Sequence, residues 1–511
     1  MKKISEMTLK EKIGQLFIVG FSNPYYDENI KDLIEENKVG NIILFARNYE
    51  NANQLKKLNT CLHQEVYKNT GIIPFIMMDQ EGGMVTRMMT DVTFPPSQMT
   101  SSASNFDGAI YECGKMIARD MIKLGMNLDL APCLEINPGL ENVLTNVRSY
   151  SSNPMSIAKK TNEFLKGLKE YGVLGCAKHF PGAGFDEVDS HLDLPIINEN
   201  KETVFNTSLV PFRKNIDVDA IMTTHSLFKA YDDLPATMSE KVITGLLRKT
   251  LGYEGMIISD CMEMKAIENY YGTTNGILMA LKAGCDMVIV SQTYAVQKLS
   301  FNEVYQAIQD GRITEEEINE KVKRILKFKE KSSKSLKKYF IPNEPYQESK
   351  LFKTESLEIV EKSLTLIKGT NVKVDNETVI ITATPNIASF VEDVFDKNSL
   401  YKEIKNAFKD NMIISFDENI KILLEKIKKE KQIVILSYDV SYNHNQKEII
   451  NEILTKYENV YVISFKGPFD QKFFTNLKNY LCLYEYTPNA IITIIKYLKG
   501  EIKPEGKLPL D

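Results

Sequence analysis

Residues 173–195 read VLGCAKHFPGAGFDEVDSHLDLP. The first five, Val173 to Ala177, are apolar throughout, as in a strand covered on both faces. Lys178 and His179 stand where that strand ends. Pro181, Gly182 and Gly184 rule out a helix and force a tight loop. The loop then carries Asp189, Ser190 and His191 ahead of Pro195. Of the chain's five histidines, three fall between residues 179 and 225. Asp189 and His191 are two apart, so in an extended or turn conformation the carboxylate reaches an imidazole nitrogen. Such a pair fixes the tautomer and basicity of the ring and suits general acid/base work near neutral pH. Taken alone, the spacing is better explained by a polar surface loop with a capping aspartate.

Outward from this strand the same pattern recurs. Apolar runs lie at 15–21 (QLFIVGF), 41–45 (NIILF), 73–79 (IPFIMMD), 126–131 (MNLDLA), 174–179, 219–224 (DAIMTT), 256–260 (MIISD) and 286–290 (DMVIV). Amphipathic stretches such as 53–67, 157–171 and 240–250 separate them. Strands alternating with helices imply parallel βαβ units, and eight units predict a TIM barrel rather than a doubly wound sheet. Asp79 closes the third run, Lys178 and His179 the fifth, and Asp260 the seventh, while His225 follows the sixth. In a parallel barrel these ends share one mouth, where barrel enzymes place their chemistry.

The stretch 331–350 (KSSKSLKKYFIPNEPYQESK) is polar, lysine-rich and carries two prolines, as a linker does. Beyond it a second alternation begins, with strand candidates at 378–383, 412–416, 432–437, 460–465 and 481–486 and helical stretches at 419–429 and 447–457. The expected organisation is a barrel over 1–335, a linker over 336–354 and a smaller open α/β sandwich domain over 355–511. The second part lacks the glycine-rich signatures of nucleotide sites.

Composition narrows the functional classes. At 511 residues, 43% hydrophobic and 26% charged, the chain is expected to be globular and built of more than one domain. Its net charge of -5 is spread over interspersed residues, which argues against nucleic acid as a partner. No apolar run approaches ~20 residues, so no membrane span is expected. The N-terminus has no signal-peptide core, and the seven cysteines are scattered without CxxC spacing. A reducing cytoplasm fits, and neither disulfides, a metal nor an organic cofactor is expected. Tryptophan is absent. That favours a small pocket built on hydrogen bonds and charges over a long stacking groove.

Five motifs carry polar groups to the expected mouth. Asp79 precedes Gly82 and Gly83, with Arg87 beyond, in DQEGGMVTR; a strand-end carboxylate can hold vicinal hydroxyls, although an aspartate before paired glycines is often only a turn. Arg148 lies in NVRSYSSNP, where a surface ion pair is the alternative. Lys178 and His179 can donate to sugar oxygens, and a Schiff-base lysine competes. Asp260 ends an apolar strand in GMIISDCMEMKAI, where a helix cap or a glycosidase nucleophile both fit. His225, in IMTTHS, is equally well a structural histidine.

KHFPG followed by DSH and LP, together with DQEGGxVxR, LAPCLEINP, NVRSYSSNP and the stretch 234–267, resembles family-three glycoside hydrolases. The closer likeness is to the bacterial β-N-acetylglucosaminidase branch. The resemblance covers about 5–330; over 355–511 it rests on architecture and the terminal GKLPLD. It implies a retaining exo-acting enzyme with Asp260 as nucleophile and His191, oriented by Asp189, as acid/base. Asp79, Arg87, Arg148, Lys178 and His179 would hold a terminal N-acetylglucosamine. Three positions depart from the family pattern. Ala183 replaces a histidine between the loop glycines, Glu135 the usual aspartate and Tyr150 the usual phenylalanine; Glu263 corresponds to a structural position. The implied substrates are cell-wall muropeptides or chitooligosaccharides, with no cofactor. A phosphorylase of the same fold and a non-catalytic amino-sugar-binding protein are the rival expectations. Oligomeric state is not legible in the sequence.

Overall fold

The structure is a computed structural model that describes residues 2–137, 146–182, 184, 192–385, 392–393, 396–417 and 431–510. Eight strands form a closed barrel: β1 Phe17–Val19, β2 Asn41–Ile43, β3 Phe75–Met78, β4 Leu128–Asp129, β5 Leu174–Phe180, β6 Ala220–Thr223, β7 Met256–Cys261 and β8 Met287–Val290. Each pairs in parallel with the next, and β1 closes on β8. All eight lie within or beside the apolar runs, because strands covered on both faces leave a continuous apolar signal. Their side chains are almost wholly buried in one core with the surrounding helices.

The helices obey local rules that the sequence displays. Asn153 caps Pro154–Tyr171 by accepting from the backbone N–H groups of Met155 and Ser156, and Pro154 occupies the first turn. Gly172 ends it at φ 69°, a left-handed conformation that costs glycine little. Stretch 240–250 forms a wider π-type helix, Lys241–Thr250. Helix Glu315–Tyr339 begins at a Thr314–Glu317 capping box and runs into the lysine-rich stretch. Within it Lys331 pairs with Asp219, and Ser332 accepts from Asn127 Nδ2 at 3.1 Å. Residues 340–349 then pass without helix or strand to the helix Lys350–Glu361.

The second part of the chain forms a six-stranded sheet, with β9 Thr365–Lys368, β10 Val379–Thr382, β11 Met412–Ser415, β12 Ile433–Ser437, β13 Val460–Ser464 and β14 Asn479–Cys482. The order is β9-β14-β13-β12-β10-β11, all parallel except the antiparallel edge strand β9. Strand β9 carries no counterpart among the expected strands. It is short and half-buried, so its apolar signal is weak. The helix expected at 419–429 lies outside the described residues.

The loop after β3 joins the two parts. Met84 is buried in the core of the second domain, a contact worth about 1.5–3 kcal/mol by apolar burial. Its carbonyl accepts from Asp393 N at 2.8 Å, and Ser97 N donates to Glu485 Oε2 at 2.8 Å.

Candidate active site

The carboxyl ends of the barrel strands open on a cavity of about 900 Å³. Asp79, Arg87, Arg148, Lys178, His179 and Asp260 all line it. These six were expected from sequence to meet, and the barrel brings them together. Asp189, His191 and Ala183 lie outside the described residues.

The β3 loop supplies the first wall. Gly82 and Gly83 have φ of 95° and 58°, and a Cβ would collide with the Pro96 carbonyl oxygen at the first or with Ser97 Cβ at the second. Only glycine permits this close turn. It brings Val85 back beside Glu81, whose N–H donates to the Val85 carbonyl at 3.0 Å. Lys178 Nζ lies 2.7 Å from Asp79 Oδ1 and 2.7 Å from Glu81 Oε1. Arg148 grips Glu81 with two bonds, Nε to Oε2 at 2.8 Å and Nη2 to Oε1 at 2.7 Å. Arg87 Nη2 stands 3.6 Å from Asp79 Oδ2, and its Nη1 meets Asp393.

Burial and charge oppose one another in this network. Burial works to raise both carboxyls, but Lys178 and Arg87 hold Asp79 below the usual range, and Arg148 and Lys178 do the same for Glu81. Burial likewise works to lower Lys178, and the two carboxylates override it, so its pKa rises. Paired at 2.7 Å with two carboxylates, Lys178 is placed as an ammonium donor, which argues against the Schiff-base alternative. Asp129, behind this cluster, is pushed well above the usual carboxylate range by burial. Its Oδ1 accepts from Gln80 N at 3.1 Å, fixing the residue after Asp79.

The opposite wall is built on β5 and β7. His179 Nδ1 lies 2.8 Å from Glu135 Oε1, and its Nε2 faces Asp260 Oδ2 at 3.8 Å. Cys261 N donates to Asp260 Oδ1 at 2.7 Å, which orients that carboxylate. His225 is buried, its Nε2 donating to the Cys261 carbonyl at 2.9 Å, with Thr237 Oγ1 at 3.0 Å from Nδ1. It therefore supports the backbone beside Asp260. Glu263 accepts from the N–H groups of Gln292 and Thr293 at 2.7 and 2.9 Å and anchors the β8 loop.

Three members of the site were not singled out for a role in the sequence. Glu81 sits inside the quoted DQEGG motif, and only the fold shows that both Arg148 and Lys178 converge on it. Glu135 holds His179 through its Oε1, 2.8 Å from Nδ1. Asp393 comes from the second domain, over three hundred residues along the chain from Asp79, with no sequence pattern around it. Cys133, Glu135 and His179 place donor atoms within 4.8 Å of one another, the spacing of a metal site among the described residues. In the structure Cys133 Sγ and His179 Nδ1 both bond to Glu135, at 3.4 and 2.8 Å.

A model of the Glycosyl hydrolase family 3 N terminal domain matches residues 8–328. The chain belongs to glycosyl hydrolase family 3. Among curated proteins it is 28% identical over 340 residues to Beta-hexosaminidase A of Pseudoalteromonas piscicida, covering 61% of this chain and 57% of that protein. It is 33% identical over 264 residues to the Beta-hexosaminidase of Photobacterium profundum, covering 51% and 77%. Among solved structures it is similar to a glycoside hydrolase family 3 beta-N-acetylglucosaminidase from Paenibacillus sp. str. FPU-7. That likeness has a TM-score of 0.90 and 33% identity over 99% of both chains. The barrel with its second sheet is thus the architecture of the family-3 fold.

Proposed function

We propose that the chain is a retaining exo-β-N-acetylglucosaminidase acting on terminal β-linked N-acetylglucosamine of muropeptides or chitooligosaccharides. The observation that carries this reading is the placement of Asp260. In the barrel order β7 and β3 stand diametrically opposite, so Asp260 faces the Asp79–Lys178–Arg87 cluster across the cavity. In this reading a single sugar lies between them, with its anomeric carbon toward Asp260 and its far hydroxyls toward Asp79, Lys178 and Arg87. Attack by Asp260 forms a glycosyl-enzyme ester and expels the leaving oxygen. His191, oriented by Asp189, donates a proton to that oxygen and then deprotonates the water that releases the sugar. His179, tied to Glu135, contacts the sugar beside the nucleophile. The hexosaminidase names of the relatives support the amino-sugar preference. No described helix is long and apolar enough to cross a membrane, and muropeptide turnover in the cytoplasm is part of the same proposal.

The test is an aryl β-N-acetylglucosaminide assayed beside the aryl β-glucoside, with the anomer of the product read by NMR and with a fluorinated amino sugar as trap. Asp260→Asn should lose at least about a thousandfold in kcat, since the ester cannot form, and should melt like the native chain. Labelling of another carboxylate, or an inverted product, would sink the assignment. Release of a sugar phosphate only when phosphate is added would make the enzyme a phosphorylase.

A further inference from the structure

Among the described residues lining the cavity, Asp393 is the one supplied by the second domain. We propose that Asp393 is a substrate-positioning residue of the sugar pocket. It holds Arg87 against Asp79 and accepts a hydroxyl at the non-reducing end of the terminal sugar, which makes the second domain the closing wall of the glycone site. This rests on the sugar orientation of the proposed function.

Three observations support it. First, Asp393 meets Arg87 on the β3 side of the mouth, opposite Asp260. The anomeric end of the sugar must face the nucleophile, so a group on the β3 side meets the 4- and 6-hydroxyl edge. Second, Asp393 is partly exposed, at 25% of its side chain, and only one of its oxygens is needed by Arg87. A carboxylate has about four acceptor positions, so capacity remains for a sugar hydroxyl. Third, the position of Asp393 is fixed from two directions. Its N–H donates to the Met84 carbonyl at 2.8 Å. The preceding Glu392 pairs with Lys466 at 2.9 Å, and both side chains are at most 2% exposed. Lys466 also meets Asp439 at 2.9 Å. A buried, hydrogen-bonded ion pair at this spot specifies a unique geometry because any other arrangement strands a charge away from water. Arg87 then has a fixed partner on each side, and its planar guanidinium is held ready for the substrate.

The experiment combines side-chain removal with removal of single hydroxyls from the sugar. The full-length chain and its Asp393→Asn, Asp393→Ala and Glu392→Gln variants are assayed on the aryl N-acetylglucosaminide and its 4-deoxy and 6-deoxy forms. Asp393→Ala should lose about ten- to hundredfold in kcat/KM on the parent sugar, the range for a hydrogen bond to a charged group. One of the two deoxygenations should cost the native enzyme about tenfold and the alanine variant less than twofold, because the partner is already gone. The near-isosteric Asp393→Asn keeps an acceptor and should retain most of that discrimination. Glu392→Gln should weaken it without changing any atom in the pocket. A merely structural aspartate would lower all three substrates in parallel. Equal cost of both deoxygenations in native and alanine enzymes, or native activity in the alanine variant, overturns the proposal. The same cycle run as calorimetric titration with N-acetylglucosamine and its deoxy forms needs no turnover. Binding without hydrolysis would sink the hydrolase reading while still scoring Asp393. No binding and no turnover by the native chain would overturn both.

Discussion

At the scale of single residues, Glu81 shows how the site depends on buried charges. It is 2% exposed and shared by Arg148 and Lys178. Glu81→Ala leaves two buried cations with one carboxylate fewer, an imbalance that costs about 3–5 kcal/mol. The expected result is a lower thermal midpoint and a loss of activity larger than Glu81→Gln causes. Burial opposes the carboxylate, but Arg148 and Lys178 hold its pKa below the ordinary 4.5. The native state therefore gives up this proton more readily than the unfolded chain does. The stabilisation is complete above pH 4.5 and is lost as pH falls toward the lower folded value. Acid denaturation of the native chain, but not of Glu81→Gln, should show this component. For His191 the proposal predicts a dependence on the leaving group. His191→Ala should lose at least about a hundredfold with a sugar aglycone. It should lose much less in forming the glycosyl-enzyme from a nitrophenyl substrate, and azide should rescue turnover as a glycosyl azide. Equal losses on both substrates without rescue would make His191 a binding residue.

At the scale of elements, the carboxyl ends of β12 and β13 build a second buried charge cluster. Asp470 accepts from Val440 N and from Ser464 Oγ, both at 3.1 Å. Burial, with the Asp439 charge behind it, pushes its pKa up to about 7. Here the sign is opposite to that of Glu81. The folded state keeps the proton that the unfolded chain releases near 3.8, so stability falls as pH rises from there to about 7. Asp470→Asn keeps an oxygen to accept from Val440 N and lets its amide donate to Ser464 Oγ, reversing that bond, and should stabilise the chain at pH ~8 by a few kcal/mol while changing little at pH ~4. Melting curves of the two proteins across that range decide it, and parallel curves would rule out a titrating Asp470. The same elements carry Lys466, whose pairing with Glu392 sets the segment that reaches the barrel.

At the scale of the whole molecule, the barrel and the second domain meet through the β3 loop, and we propose that 340–349 is the segment that joins them covalently. Tyr346 is buried, with its Oη accepting from Arg119 at 3.0 Å, while Ile341 is 52% exposed. Thermolysin, which cuts before large apolar residues, should therefore nick first at Ile341. The fragments should stay associated on gel filtration, because Met84 and the Ser97–Glu485 bond hold across the nick. An earlier cut within helix Glu315–Tyr339 would place the boundary elsewhere.

The chain's local chemistry was enough to determine the eight strands, the parallel alternation, and the strand-end positions of Asp79, Lys178, His179 and Asp260. Buried parallel strands leave unbroken apolar runs, and their polar ends mark one mouth. Family likeness of ordered motifs is the ground for the proposed roles of Asp189 and His191, which spacing alone leaves open. Tertiary structure alone decided the rest. It set Asp260 opposite Asp79, made Glu81 the shared partner of Arg148 and Lys178, brought Glu135 to His179, and delivered Asp393 to Arg87. Pairings between residues far apart in the chain leave no periodic trace in sequence. They exist only once the barrel closes and a second core buries Met84, because each depends on where two separate backbones have been carried, not on which residues neighbour each other.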